Sequence, residues 1–580
     1  MMKRKHSATE VKEPEDRYIL VAVDYGTTFS GIAWVQTARP EVQTAIVQWP
    51  NDEGSLEGKT SEKVPTELYY DGQEWKWGFE IPDNQPRHQW FKLGLDPNHK
   101  NQELSLLAID HPDEKALPPA YGDEPNEVKL TTAYLAKLRS HTIKLLGRKL
   151  GDALLNTTKV RFTITVPAIW DDAAKARTQQ CATGAGMGRE IRIISEPEAA
   201  VIYALDAMDP HNLNVKDCFV LCDAGGGTVD LISYEIVSKT PFVKVRETVP
   251  GTGGAYGSIF LNRIFKKYLE ENLSDMDGFG DDTLEDALAE FESTLKRKFT
   301  GDEEKVVIRV PGLVDNAARG VRRQKLTIKA TLLKDIFQPV MTAITTLIKS
   351  QLQQCKQAKA VILVGGFGQS PYLRKCIEKV VEDDIEIMQP AYGWTAVVRG
   401  ALIKSLHDAA PGATRVGITT RRARRAYGTT IADAFKSPKH IGRDKWFDGH
   451  TGVWRVNEMI WFVNKGDELN QSAPLETSFS QTQEVSKGLL SRETIELYAF
   501  TPRGDERSPE YPCDAVKRLV TLRADLSAIA ATQIPREMGN DGKLYYVLDF
   551  QIKVAFFSAH MEYSLWYKNV EYGKVKAEYA

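Results

Sequence analysis

The hydrophobic positions of this chain fall into two textures, and the change between them divides the sequence. Up to about residue 408, β-branched apolar runs at 18–35, 160–166, 218–236 and 360–364 read as buried strands, and they alternate with stretches of helical spacing such as 171–183. That alternation predicts an α/β domain over 17–408. Beyond it the helical period fades. The run 544–556 puts Leu544, Tyr546, Leu548, Phe550, Ile552, Val554 and Phe556 on one face at a two-residue period, and 458–463, 493–500 and 518–526 add further strands. A C-terminal β-sandwich-like domain over 427–580 is the expectation. Between the two, 409–426 reads as a linker, with Pro411-Gly412 and a basic run from Arg421 to Arg425. The polar residues 1–16 read as a disordered start, and 96–127, rich in Pro, Asp, Glu and Asn, as a surface loop.

Composition narrows the partners. With 580 residues, 42% hydrophobic and 26% charged, the chain is ordinary for a soluble globular protein of about three to four domains. A formal charge of −3 gives no overall polyanion-binding surface, so nucleic acid is not the expected ligand. The apolar stretches are strand-length and broken by charges, and the start has no signal-peptide core, so no membrane partner is expected. Six cysteines in so long a chain make no disulfide framework. They suit a cytoplasmic placement, with the nucleus left open.

The candidate chemistry lies in a repeat. Asp24-Tyr25-Gly26-Thr27-Thr28 returns as Asp223-Ala224-Gly225-Gly226-Gly227-Thr228, each time between two apolar strands, so the α/β region looks like a duplicated lobe. Glycines allow backbone N–H groups to converge on anionic oxygens, and Thr27, Thr28 and Thr228 add hydroxyls. Asp24, Asp223 and Asp230 would face a hydrated Mg²⁺, which prefers carboxylates, water and phosphate oxygens. A single Asp-x-Gly would be an ordinary turn; the matched pair specifies a clamp for a metal–triphosphate.

Two further segments join it. In Ile194-Ser195-Glu196-Pro197-Glu198, Ser195 and Glu198 form a capping-box pattern that holds Glu196 at a strand-to-helix junction. There Glu196 either orients a water or contacts the metal shell, or is a first-turn Glu favoured by the helix dipole. Val364-Gly365-Gly366-Phe367-Gly368-Gln369-Ser370-Pro371 is a strand, a glycine turn and a helix start, open enough for a ribose or flat ring to approach the main chain.

In this order the segments resemble those of the seventy-kilodalton heat-shock protein chaperones, within the actin-like ATPase superfamily, over about 18–405. The likeness is to a divergent, atypical branch. It implies a two-lobed actin-like ATPase fold that binds ATP or ADP with Mg²⁺. Asp24, Glu196, Asp223 and Asp230 would organise the metal and attacking water, Thr228 would lie near the γ-phosphate, and Gly26 to Thr28 and Gly225 to Gly227 would hold phosphates. Lys92, in Trp90-Phe91-Lys92-Leu93-Gly94, is similar to the family's catalytic lysine segment, and without that context reads as a solubilising surface lysine. Gly254, Lys296, Arg297, Thr300, Gly365, Gly366, Phe367 and Gln369 would form the adenosine side. Here the chain departs from the family: Gln369 stands where an Arg stacks on adenine, and Ser293 takes an expected Glu position.

Beyond 409 the resemblance fades to a likeness to the chaperone substrate-binding β-sandwich, without a helical lid. The expected function is thus a chaperone-like ATPase in which nucleotide state sets lobe closure and a C-terminal domain that takes an extended polypeptide or partner protein. The alternative is a nucleotide-binding scaffold with negligible turnover.

Overall fold

The computed structural model describes residues 17–82, 85–96, 126–209, 211–355, 357–410, 415–489, 491–502 and 506–579. The expected disordered start lies outside the described residues, as does the expected 96–127 loop except for its ends, the second of which already belongs to the helix Asn126–Leu150.

Two sheets of matching topology build the α/β region. In the first, the strand Tyr18–Asp24 pairs antiparallel with Phe29–Gln36 and parallel with Lys159–Val166, which pairs parallel with Arg192–Ser195. In the second, Cys218–Ala224 pairs antiparallel with Val229–Ser238 and parallel with Ala358–Val364, which pairs parallel with Glu386–Met388. The repeat read from the two Asp-Gly loops is therefore a repeat of whole sheets. The central strands are buried along their full length, which is why they read as continuous apolar runs and not as alternating ones.

After each final parallel strand comes a helix, Glu196–Ala207 in one lobe and Ala396–Ala409 in the other. Their Ala- and Val-rich faces pack together between the sheets, in one core with Leu20, Ala22, Leu221 and Ile362. Small side chains let the backbones come close: a Cβ on Gly400 would lie 1.7 Å from the Ala199 carbonyl oxygen. The outer face of the first sheet is covered by Asn126–Leu150 and Asp172–Gly184, and that of the second by Ile259–Leu273 and Ala330–Gln354.

In the stretch expected to be a linker, Val416–Ile418 adds a parallel strand to the second sheet, and Arg421–Arg422 pairs with Glu468–Leu469. Further on, two antiparallel sheets share one core. One runs in the order Lys445–Asp448, Val453–Val463, Ala426–Ala434, Arg492–Phe500, Lys517–Asp525, Lys576–Tyr579. The other centres on Leu544–Phe556, whose alternate residues from Tyr546 to Phe556 are buried while its first, Leu544, is exposed. The turn after that strand reaches into the first lobe: Ala559 belongs to the core beneath the Tyr18–Asp24 sheet.

Candidate functional site

The two Asp-Gly turns come from the ends of corresponding strands in different sheets and meet across one cleft of about 200 Å³. They interlock. A Cβ on Gly226 would lie 2.2 Å from the Thr28 hydroxyl, and one on Gly227 2.4 Å from that of Thr27. The glycines are thus required by close approach of the opposite loop, and the hydroxyls they admit line the same cleft.

Behind the loops lies a cluster of buried carboxylates and lysines. Asp24 is bound by Lys63 at 2.6 Å and accepts from Thr165 at 3.2 Å; Glu196 is bound by Lys92 at 2.7 Å. The Lys92 ammonium also lies within 5.5 Å of the Tyr25 and 5.4 Å of the Trp170 ring centroids, a desolvated setting that holds it toward Glu196. Asp223 and Asp230 face each other across a strand pair, and Asp230 accepts the Ile169 amide at 3.1 Å. Among the described residues Asp223 forms no ion pair. Burial, then the charges of Glu196, Asp230 and Asp24, push its pKa well above the usual carboxylate range. Burial likewise raises Glu196 to about 7, against the pull of Lys92 and with the help of Asp24 and Asp230.

This gives a pH dependence of known sign. Between about pH 4.5 and 7 the folded chain holds a proton on Glu196 that the unfolded chain has lost, so stability contributed by that proton falls as pH rises through the window. Denaturant unfolding of the nucleotide-free protein should follow that slope, and Glu196→Gln should make it shallower while leaving the part due to Asp223; an unchanged slope in the variant contradicts the assignment.

The far end of the cleft is lined by Lys296, Arg297, Gly365, Gly366, Phe367 and Gln369, with Trp394 and Phe29. Lys296 is buried and hydrogen-bonds Ser258 Oγ at 3.2 Å, Asn262 Oδ1 at 3.1 Å and the Glu292 carboxylate. Glu292 supplies the carboxylate that Ser293 does not. Glu292 lies four residues before Lys296, on the same helix face, while the Ser293 hydroxyl bonds back to the Ala289 carbonyl; a π turn runs over Phe291–Leu295. The Arg297 guanidinium lies 5.3 Å from the Trp394 ring centroid, and Trp394 meets Phe29 edge-on at 5.5 Å.

Asp24, Gly26, Thr27, Thr28, Lys92, Glu196, Asp223, Gly225 to Gly227, Thr228, Lys296, Arg297, Gly365, Gly366, Phe367 and Gln369 all line this cleft. Asp230, Gly254 and Thr300 do not. Asp230 sits behind Asp223; a Cβ on Gly254 would meet the Tyr256 ring; the Thr300 hydroxyl is given to Glu303 at 2.9 Å. Lys63, Ser258, Glu292 and Trp394 were not singled out from the sequence, because each is one polar or aromatic residue with no repeat or spacing to mark it.

The capping box does not form. Ser195 precedes the helix, but its side chain caps no N–H. Glu198 is instead held by Arg421, Nε to Oε2 at 2.9 Å and Nη2 to Oε1 at 2.5 Å, and the Ser195 amide donates to Ser558 Oγ at 2.9 Å. A buried carboxylate gains more from a bidentate guanidinium than from one backbone amide. Although burial opposes ionisation of Glu198, Arg421 outweighs it and holds the pKa below the usual range. The helix that presents Glu196 is therefore fixed from outside the two sheets.

These features define a two-lobed α/β fold with a phosphate-suited cleft at the lobe interface. A family model for the Hsp70 protein matches residues 111–405, about half of the chain, and the chain belongs to that family. It is similar to human heat shock 70 kDa protein 12A, 23% identical over 91% of this chain and 88% of that protein. Human heat shock 70 kDa protein 12B is 23% identical over 74% of each chain. The chaperone protein DnaK of Thermoplasma volcanium is 25% identical over 48% of this chain and 44% of its own. Among the described residues no helix is long and apolar enough to cross a membrane.

Proposed function

We propose that the chain binds ATP with Mg²⁺ in the cleft and hydrolyses it, and that lobe closure around the nucleotide sets the state of a C-terminal β-sandwich that takes an extended polypeptide. The observation that carries this reading is the interlocking of the two Asp-Gly loops beside the Lys92–Glu196 pair. Of the buried carboxylates Asp24, Glu196, Asp223 and Asp230, Asp24 pairs with Lys63 and Glu196 with Lys92, and among the described residues the other two form no ion pair. Among the described residues no three metal-binding side chains converge to hold an ion directly, which fits a cation kept hydrated and held through phosphate oxygens. When bound, Mg²⁺ offsets charge on the β- and γ-phosphates.

The chain's own residues do the rest. Thr27, Thr28, Thr228 and the loop amides fix the phosphates, Glu196 accepts a hydrogen bond from the attacking water, and Lys92 stabilises charge on the transferring group. Lys296 and Arg297 hold the nucleoside end. A scaffold with negligible turnover is the second reading, favoured by the Lys63–Asp24 pair, which occupies one of the carboxylates. Equilibrium binding of ATP, with Mg²⁺ and with chelator, tests the common part of both; absence of any ATP binding overturns both. We propose a cytoplasmic setting on the same family grounds.

Base recognition should rest on stacking. With Gln369 packed beside Gly393, the aromatic side chains lining the cleft are Phe29, Phe367 and Trp394, and Trp394 offers the largest flat face. Stacking is worth roughly 1–3 kcal/mol per base and tolerates any base. Trp394→Ala should therefore weaken ATP and GTP alike, by about fivefold or more, in calorimetry. A loss confined to ATP would contradict this.

A further inference from the structure

A second cavity, of about 110 Å³, lies where the first lobe meets the C-terminal sheets. Lys175 from the helix Asp172–Gly184 lines it, with Arg424 and Arg425 from the connecting segment and Ser558 and His560 from the turn after Leu544–Phe556. Lys175 is only 8% exposed, and its ammonium makes no hydrogen bond or ion pair among the described residues. A lone buried ammonium is costly.

The acids of the cavity do not relieve it. Glu198 is engaged by Arg421, and Glu247 lies 4.0 Å from Arg424 and accepts the Gly251 amide at 3.2 Å. Asp172, one turn before Lys175, forms no ion pair with it. Burial brings Lys175 down to about 8; Asp172 opposes this, and Arg424 and Arg425 add to it. Unpaired donors gather at the same place. Arg424 Nε is buried without a partner among the described residues, the Arg425 guanidinium lines the same cavity, and His560 Nδ1, unpartnered too, is a donor only when the ring proton sits on it. His560 is held flat against Phe557, ring centroids 4.7 Å apart, which fixes it at the cavity wall.

Donors outnumber free acceptors here, Asp172 being the carboxylate left without an ion pair among the described residues, and that excess calls for a ligand that accepts. We propose that the cavity is a second ligand site, for a small tetrahedral oxyanion of the phosphate class. The cavity is about half the size of the nucleotide cleft, 110 against 200 Å³, which suits a single phosphate group and not a whole nucleotide. Lysine and arginine suit such an ion through charge-assisted bonds. Because its donors come from the first lobe, the connecting segment and the C-terminal sheets, an occupant fastens the three together. The site is separate from the nucleotide cleft and does not depend on turnover.

The test uses the full chain, with thermal unfolding in sodium phosphate against sodium chloride at equal ionic strength, and phosphate titration by calorimetry. Wild type should gain in Tm with phosphate and show saturable binding. Lys175→Met should raise Tm in chloride, by removing an unpaired buried charge, and should abolish the phosphate gain and weaken binding at least tenfold. Lys175→Arg should keep part of the gain. Lys92→Met, in the nucleotide cleft, should keep all of it. The proposal is overturned if wild type gains nothing from phosphate, if Lys175→Met retains the gain or loses stability in chloride, or if Lys92→Met abolishes it. A chain that binds ATP but not phosphate leaves the nucleotide reading intact, and one that binds phosphate through Lys175 but no ATP leaves this site standing alone.

Discussion

Asp223→Asn should make the nucleotide-free protein more stable and at the same time lower its Mg²⁺-dependent ATP hydrolysis at least tenfold, about 1.4 kcal/mol in the barrier. Both effects have one cause. Asp223 is buried opposite Asp230, close to Glu196 and Asp24, and forms no ion pair among the described residues. Without a ligand, burial and the charges of Glu196, Asp230 and Asp24 outweigh the pull of Lys63 on it, so an isosteric amide relieves the strain. On the proposed reading, the same charge would help hold Mg²⁺ and triphosphate, and the amide cannot supply it. Thermal unfolding reads the first effect and single-turnover kinetics the second. Unchanged turnover would remove Asp223 from the proposed site, and lower stability of the ligand-free variant would show that the carboxylate has a structural partner.

Arg421→Met should cost about 3–5 kcal/mol of stability, the usual price of leaving one half of a buried ion pair alone. Arg421 and Glu198 are 9% and 3% exposed, and two hydrogen bonds join them. Replacing both, as Glu198→Met with Arg421→Met, should recover most of the loss, since a buried pair exchanged for apolar residues of similar volume is often neutral or better. Denaturant unfolding of the three variants forms the cycle. Equal destabilisation by the single and the double variant would show that Arg421 acts through packing and not through Glu198. The same single variant should also lower turnover, because Glu198 sits two residues from Glu196 on the helix that presents it.

The parts of this protein that were readable from its sequence are those governed by short-range repetition. A buried strand ending in Asp and Gly is a local pattern, and finding it twice pointed to two equivalent sheets; the Leu544–Phe556 strand follows directly from its two-residue period. What stayed hidden depends on long-range contacts. Lys63 reaches Asp24 because Val64–Pro65 pairs with the far side of the Phe29–Gln36 strand, and nothing in its own neighbourhood marks that pairing. Glu292 reaches Lys296 at an ordinary i,i+4 spacing, but nothing local shows that Lys296 is turned into the cleft and needs that carboxylate. Arg421 looked like one charge in a solvated basic run, but its sequence-distant partner Glu198 buries it, and that contact also undoes a capping box that local spacing predicts.

The central claim is that the cleft turns over ATP, and single-turnover hydrolysis by the wild-type chain tests it most directly. Enzyme in excess over labelled ATP, quenched with acid across a time course, should form ADP in a single exponential that requires Mg²⁺ and slows at least tenfold in Glu196→Gln. ATP bound with Mg²⁺ but recovered intact, at the same level in wild type and Glu196→Gln, would contradict the account and leave a nucleotide-dependent scaffold.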